Sequence, residues 1–342
     1  MSSMAGDALA ELADEVFGSR DTTGSADLGG FDADLWATLE QTGLARLTLP
    51  GDVGGSDGAF ADAAVVLAAA GAHAARVPLV ETDLLAGWLL QAAQIELPDG
   101  PLTLASGDLD IARTVRRAAG ELHRVPWARA AAGIAVLAGD QVLLIDPADV
   151  TVVEGANLAE EPRDTVVVDG PVTASSVEEH VGAQLRLRAA LGRSLLLVGA
   201  LRAALVASVR YAGERVQFGR PIGRFQAVQQ SLALAAAEVA AASAAAEAAA
   251  RAADAEGVLT AELPIAMAKA RTSEAAGAVA RVAHQVHGAI GFTREHDLRL
   301  ATTRLWAWRD EDGSEAQWHE VVGAAALAAG ADGLWPLITG RP

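Results

Sequence analysis

The sequence predicts an α+β protein that is mostly helical, with its strands confined to the middle of the chain. Before residue 100 and after residue 178, apolar residues recur at spacings of three and four, as in amphipathic helices. Between these regions, short runs rich in Val, Ile and Leu are punctuated by Gly, Pro and Asp, which is typical of strands. We therefore predict an N-terminal helical domain over 1–100, a small β domain over 101–178 and a C-terminal four-helix bundle over 179–342.

The N-terminal region is predicted to contain helices over residues 7–17, 32–42 and 59–71. Residues 47–58 read Leu-Thr-Leu-Pro-Gly-Asp-Val-Gly-Gly-Ser-Asp-Gly, and these glycines and the proline predict a loop. A glycine-rich loop can cradle a phosphate group. No Lys or Arg accompanies these glycines, so a plain connection between two helices is the favoured interpretation.

The middle and C-terminal regions differ sharply in residue composition. Strands are predicted over residues 133–138, 141–145 and 164–169. Long alanine-rich helices follow, predicted over 184–213, 225–255 and 263–288. Long helices joined by short connections favour an antiparallel bundle, and alanine lets such helices approach closely.

Composition excludes several classes of function. The formal charge is −18, from 44 acidic and 26 basic residues, which argues against a nucleic-acid-binding surface. The absence of cysteine excludes disulfides, thiolate metal sites and cysteine nucleophiles, and fits a cytoplasmic protein. The long apolar run at 232–250 is mostly alanine and is interrupted by Glu238 and Glu247. It therefore predicts a packed helix, and we expect no membrane span.

Two segments carry residues suited to ligand binding. The first places Arg215, Arg220 and Arg224 around a Gly/Pro break between two helices, with Pro221 closing the first of them. The N-terminus of a helix beside arginines is a ready site for an anion. The alternative is a solvated corner between helices, and local chemistry alone leaves both open.

The second segment follows the last long helix. His284 and His287 are three residues apart, His296 comes next, and the glycines between them let backbone amides approach a ligand. A metal site is not favoured, because Glu295 and Asp297 are the only acidic residues nearby and no HExxH spacing is present.

Both segments resemble the C-terminal signatures of the flavin-dependent acyl-CoA dehydrogenases. The matching residues are Arg215-x-x-Phe218-Gly219-x-Pro221-Ile222-x-x-Phe225-Gln226-x-x-Gln229 and Gln285-x-His-Gly288-x-x-Gly291-Phe292, followed by Glu295-His296. Residues 47–58 resemble the family's Pro-Glu-x-x-Gly-Gly segment, with Gly51-Asp52 in place of the usual glutamate. The resemblance covers nearly the whole chain and implies the same three domains, assembled as a dimer of dimers.

The resemblance also implies FAD as the cofactor. Arg215 matches the arginine that contacts the FAD diphosphate of a neighbouring subunit, and Phe218 matches the residue that packs on that cofactor. Gln285 and Gly288 match the loop that receives the ADP half. The full implied set of cofactor-binding residues is Arg215, Gln217, Phe218, Gln226, Gln285, Gly288 and Ser314.

Family chemistry implies a catalytic carboxylate. In the family, this base removes the proton α to the thioester carbonyl while the β hydrogen leaves as hydride to the flavin. It lies in Tyr-Glu-Gly-Thr, twenty residues after the Gly-Phe pair, and that count reaches Asp312. Aspartate is one methylene shorter than glutamate, so Glu311 is the alternative base. A third interpretation is a solvated acidic loop. Some relatives carry a glutamate on the first long C-terminal helix, but positions 188–190 hold no carboxylate.

One family segment is missing. The Thr-Glu-Pro-x-x-Gly-Ser-Asp sequence, whose hydroxyls and amides hold the flavin ring, has no counterpart, and residues 101–110 contain only Thr103 and Ser106 as substitutes. Three hypotheses follow. The chain is a weakly catalytic or non-catalytic subunit that shares FAD with a larger homologous subunit in a heterotetramer, as in steroid side-chain or fatty-acid β-oxidation. It is a self-sufficient homotetramer that uses Asp312 or Glu311. Or it is a flavin-free interaction protein. The expected partners of the enzyme are an acyl-CoA and an acceptor such as electron-transfer flavoprotein.

Overall fold

A computed structural model describes residues 2–18, 30–112 and 116–339. The N-terminal region contains helices α1 (Ser2–Gly18), α2 (Ala33–Gln41) and α3 (Phe60–Ala72), so the three predicted helices are confirmed. Residues 47–58 form a loop, as predicted, with one short turn of 3₁₀-helix at Gly51–Val53.

A helical segment that the periodicity did not predict follows α3. It is a π-helix at Val80–Gly87 that continues as α4 (Trp88–Ala92). Every residue of the π-helix is buried, including Glu81, Thr82 and Asp83. Wide helical turns of this kind are frequent near functional sites, because they alter which side chains face the interior.

The middle region consists of two four-stranded sheets. The first has the order β1-β4-β5-β8, and the second has the order β2-β3-β7-β6. The strands are β1 (Leu102–Ala105), β2 (Asp110–Ala112), β3 (Arg117–Pro126), β4 (Gly133–Ala138), β5 (Gln141–Ile145), β6 (Val150–Val153), β7 (Arg163–Pro171) and β8 (Thr173–Ser176). Alternate side chains of both sheets form one apolar core. The three predicted strands are confirmed as β4, β5 and β7.

The C-terminal bundle is built from α5 (Val181–Glu214), α6 (Gln226–Glu256), α7 (Glu262–His287) and α8 (Leu298–Trp308), with α9 (Glu315–Thr339) against α7. The three long predicted helices are confirmed. The first of them ends at Glu214, one residue beyond the predicted range; Pro221 lies in the small hairpin that follows, so the prediction that it closes a helix is wrong.

Two glycines fix how the N-terminal region packs on the bundle. A Cβ atom at Gly199 of α5 would lie 2.0 Å from the carbonyl oxygen of Ala68 on α3, and one at Gly71 would lie 2.2 Å from that of Leu196. Only glycine lets these two backbones touch. The close contact holds α3 on α5 and so sets the position of the π-helix above the bundle.

By length and hydropathy alone, α5, α6 and α9 are each long and apolar enough to cross a membrane. Helix α5 is largely buried inside the bundle, whereas Trp318 is the one residue of α9 that is buried. The expectation that this chain needs no membrane remains a prediction.

Candidate functional site

The first signature segment forms a tight hairpin at the end of α5. Strands β9 (Val216–Gln217) and β10 (Arg220–Pro221) are joined by Phe218 and Gly219, which have φ values of +53° and +78°. This left-handed pair gives a compact two-residue turn, and it is unfavourable for phenylalanine. The turn leaves the Phe218 side chain 91% exposed. An aromatic ring held in water by a strained turn indicates a binding surface.

Rings connect this hairpin to the second signature segment. Tyr211, one turn before Arg215, stacks on His287 at 4.4 Å between ring centroids, and His296 packs edge-on to both. Gly288 ends α7 with φ +65° and donates its backbone N–H to the carbonyl of His284. The two segments therefore meet at one end of the bundle, where most of their proposed cofactor contacts are exposed: Arg215, Gln217, Phe218, Gln226, Gln285 and Gly288.

The histidines beside this surface are part of its scaffold. The His284 ring lies between Phe292 and Trp306, with centroids 4.1 and 5.0 Å away. Among the described residues, both ring nitrogens of His284 and Nε2 of His287 are buried without a hydrogen-bond partner. Burial lowers the pKa of both imidazoles, so they pack as neutral rings.

We expect acid to loosen the loop at residues 288–297. The lowered pKa of His284 and His287 means that the unfolded chain binds protons before the folded loop does. Their stabilising contribution is complete above the ordinary histidine pKa of 6.5 and is lost as pH falls below it. Hydrogen exchange of this loop should be faster at pH 5.5 than at pH 7.5. His284→Phe keeps a stacked ring without a titrating group, so an equal pH response in that variant would contradict the role of His284.

The proposed catalytic loop lies towards the other end of the bundle, between α8 and α9. Asp312 and Gly313 have φ values of +57° and +97°, and the Asp312 carbonyl accepts a hydrogen bond from Trp318 Nε1 at 3.0 Å. A Cβ at Gly313 would lie 2.3 Å from that nitrogen, which requires glycine. Ser314 caps α9 reciprocally with Gln317, whose Oε1 accepts from the Ser314 backbone N–H at 2.8 Å.

Asp312 is held by an arginine that the sequence did not single out. Arg193 of α5 donates from Nε to Asp312 Oδ2 at 2.8 Å and from Nη2 to Glu81 Oε1 at 3.2 Å. Its Nη2 is also 3.4 Å from Glu311 Oε2. The side chains of Arg193 and Glu81 are both 4% exposed. Burial raises the pKa of Glu81, while the charge of Arg193 opposes that rise.

Glu311 is bound mainly by a second buried arginine. Arg163 of β7 binds it with two hydrogen bonds, Nη2 to Oε2 at 2.7 Å and Nε to Oε1 at 3.0 Å, and Asn157 donates to the same carboxylate. Burial acts to raise the pKa of Glu311, but the charges and hydrogen bonds of Arg163 and Arg193 outweigh it and bring the pKa to about 2. A carboxylate bound in this way is a weak proton acceptor, which argues against the alternative that Glu311 is the base.

A cavity of about 280 Å³ lies beside this loop. Its walls come from the π-helix, the end of β1, the end of β3, and the arginines and carboxylates described above. Ser106 lines it, whereas Thr103 is buried and donates its hydroxyl hydrogen to the carbonyl of Pro126. Of the two hydroxyls expected to replace the flavin-binding segment, only that of Ser106 faces the cavity.

The exposed surface and the cavity differ in how well they fit the ADP half and the flavin half of FAD. The exposed hairpin and loop offer a guanidinium, amides and an aromatic face, which suit an ADP group. The cavity offers Arg163, Arg193, Asp312 and Glu311 already bound to one another, one serine hydroxyl and several apolar side chains. These charged groups bind one another, which leaves few free hydrogen-bonding groups for the polar edge of a flavin ring. Glu81, Arg163 and Arg193 were missed in the sequence, although charged residues inside apolar runs are a recognisable signal of buried pairs.

Comparison with known proteins places the chain in a family. Residues 187–327 match the model of the acyl-CoA dehydrogenase C-terminal domain. The chain is 31% identical over 288 residues to the acyl-CoA dehydrogenase IpdE2 of Mycolicibacterium smegmatis, an alignment that covers 79% of this chain and 81% of the relative. It is 32% identical to IpdE2 of Mycobacterium tuberculosis over 79% of this chain and 80% of that protein.

A solved structure confirms the fold. The ChsE4–ChsE5 complex from Mycobacterium tuberculosis contains a chain that superposes with a TM-score of 0.85 at 24% identity, covering 95% of this chain and 97% of that one. The predicted helical, β and helical-bundle architecture is thus the one observed. The extent and identity of the IpdE2 alignments show that this chain belongs to the acyl-CoA dehydrogenase family of flavin-dependent oxidoreductases.

Proposed function

We propose that this chain is the FAD-sharing, weakly catalytic or non-catalytic subunit of a heteromeric acyl-CoA dehydrogenase. One observation carries the proposal: both candidate bases are ion-paired with buried arginines in the cavity beside them. A base must approach the α-carbon of the thioester with a free lone pair. Here Arg193 binds one oxygen of Asp312, and Arg163 binds both oxygens of Glu311.

In this proposal the chain holds one end of a cofactor that a larger homologous subunit holds at the other. Arg215 would neutralise the diphosphate, while Phe218, Gln226, Gln285 and the amides near Gly288 would surround the ADP half. FAD supplies hydride acceptance when bound. This chain orients it, and it leaves proton abstraction from the acyl-CoA to the partner. Electron-transfer flavoprotein or a similar carrier would take the electrons.

The substrate class follows from the relatives only as a proposal. The solved complex named above comes from a heteromeric pair, and a steroid acyl-CoA dehydrogenase is also among the structures that share this fold. We propose an acyl-CoA from steroid side-chain or fatty-acid degradation as the substrate of the complete enzyme, and a cytoplasmic location for it.

Flavin content tests the proposal. We expect the chain expressed alone to carry little FAD, measured by absorbance against protein concentration, and the complex with its larger partner to carry about one FAD per two chains. About one FAD per chain in the isolated protein would instead favour the self-sufficient homotetramer. Absence of flavin from every complex would favour a flavin-free interaction protein.

Two substitutions separate the proposed roles. Arg215→Ala should strip FAD from the complex, whereas Asp312→Asn should leave turnover nearly unchanged, because it removes the basicity of the side chain while the amide oxygen still accepts the hydrogen bond from Arg193. Arg117→Ala is the matched control, since it removes a half-exposed arginine of β3 that pairs with Asp169. Loss of proton abstraction in Asp312→Asn would establish Asp312 as a working base and overturn the proposal.

A further inference from the structure

A groove at the junction of the N-terminal helices and the bundle lies apart from both halves of the FAD site. Its volume is about 510 Å³, within the range of roughly 300–1,000 Å³ typical of small-molecule sites. Helices α1, α3, α5 and α6 form its walls. Its lining is mostly alanine methyl groups, with Val65, Leu195 and Val198, so water inside it finds few hydrogen-bond partners.

The groove runs along α3. On α3 its lining residues follow one face of the helix from Ala61 to Ala72, a length of about 16 Å at 1.5 Å per residue. Two of its walls, α3 and α5, touch through Gly71 and Gly199. A largely apolar groove of this length fits an extended hydrocarbon chain.

A cation stands at one end of the groove. Asp254 of α6 accepts hydrogen bonds from the backbone N–H groups of Phe60 and Ala61 at 2.7 and 2.9 Å, which places this part of α6 at the start of α3. Arg251, one turn earlier on α6, therefore lies at the Ala61 end of the groove that it lines.

The charges on the rim single out Arg251. Arg202 is 3.1 Å from Glu247, so these two neutralise each other. Arg251 pairs with no acidic side chain in the parts of the chain that the structure describes. Asp14 stands on the opposite wall, on α1. The wall formed by α5 and α6 thus has one unpaired positive charge beside an apolar channel.

We propose that this groove binds the acyl chain of a medium-chain fatty carboxylate, with the carboxylate on Arg251 and the chain along α3 towards Ala72. The hydrocarbon displaces poorly bonded water from the alanine surface, and the guanidinium binds the head group. This site is independent of the shared-FAD proposal, because none of its lining residues contributes to either half of that site.

Isothermal titration calorimetry of the full-length chain with dodecanoate tests the proposal. We expect saturable binding at micromolar concentrations. Ala68→Leu fills the groove and should weaken binding at least about tenfold, whereas Ala237→Leu adds the same group on the exposed face of α6 and should change nothing. Val65→Phe is a second filling variant in case Ala68→Leu fails to fold.

The head group is tested separately. Arg251→Ala should weaken dodecanoate about tenfold and leave dodecanol unchanged. Binding that is absent, or that is equal in the chain with Ala68→Leu and in the unaltered chain, would overturn the site. If the chain fails to bind dodecanoate and a filling variant changes the oligomeric state, a protein segment occupies the groove. This result too would overturn the proposal. Flavin content is expected to be the same in all of these variants.

Discussion

Replacement of Arg193 by methionine is expected to reduce the free energy of unfolding by about 3–5 kcal/mol, as removal of one partner from a buried ion pair does. Arg193 faces three carboxylates, and methionine would leave Glu81 buried without its cation. Chemical denaturation at pH 7.5 measures the loss. Arg202→Met on the same helix removes a half-exposed pair and should cost no more than about 1 kcal/mol.

The pH dependence of that loss distinguishes charge from packing. Arg193 opposes the rise that burial imposes on the pKa of Glu81, so this pKa should rise further in Arg193→Met. An acid whose pKa is higher in the folded than in the unfolded state loses stability as pH rises, because ionisation is penalised in the fold. The loss of unfolding free energy caused by Arg193→Met should therefore be smaller at pH 5 than at pH 7.5. Adding Glu81→Gln to Arg193→Met should restore much of the lost free energy of unfolding. A deficit independent of pH would indicate lost packing instead.

Some elements of the fold could be predicted from sequence patterns, and others could not. Helices α3, α5, α6 and α7 could be predicted because their apolar spacing repeats over several turns. The π-helix at Val80–Gly87 could not, because every residue is buried and no polar face marks a period. Strand β8 pairs with β5 although it reads Thr-Ala-Ser-Ser, so its partner and not its composition makes it a strand.

The site divides in the same way. Arg215, Phe218, Gln285 and Gly288 could be proposed from the sequence, because they lie in two short segments whose residues are close together along the chain. The ion pair of Asp312 could not, because Arg193 lies more than a hundred residues from both Asp312 and Glu81, and only the tertiary fold brings the three together. The sequence therefore identified the loop that carries Asp312. The ion pairing of its carboxylates could not be predicted, because it depends on tertiary contacts that residue spacing does not reveal.

Lys269, the one lysine of the chain, supports that loop from beneath. Its buried Nζ donates hydrogen bonds to the carbonyls of Arg309 and Gly313, each at 2.9 Å, and to Ser273 Oγ at 3.1 Å. Lys269→Met fills a similar volume but leaves the Gly313 carbonyl without this donor. We expect a loss of about 2 kcal/mol at pH 7 by chemical denaturation. Ser273→Ala should cost less, because Lys269 still reaches both carbonyls.

The advantage of Lys269 over methionine should grow with pH. Burial lowers the pKa of this lysine from 10.5 to about 8, so between these values the unfolded chain binds more protons than the folded one. Stability then rises with pH across this window in the unaltered chain relative to Lys269→Met. Unfolding curves at pH 7.5 and pH 9.5 measure the change. A constant difference would mean that the amine is no more costly to charge in the fold than in water, and that its hydrogen bonds alone position the Asp312 loop.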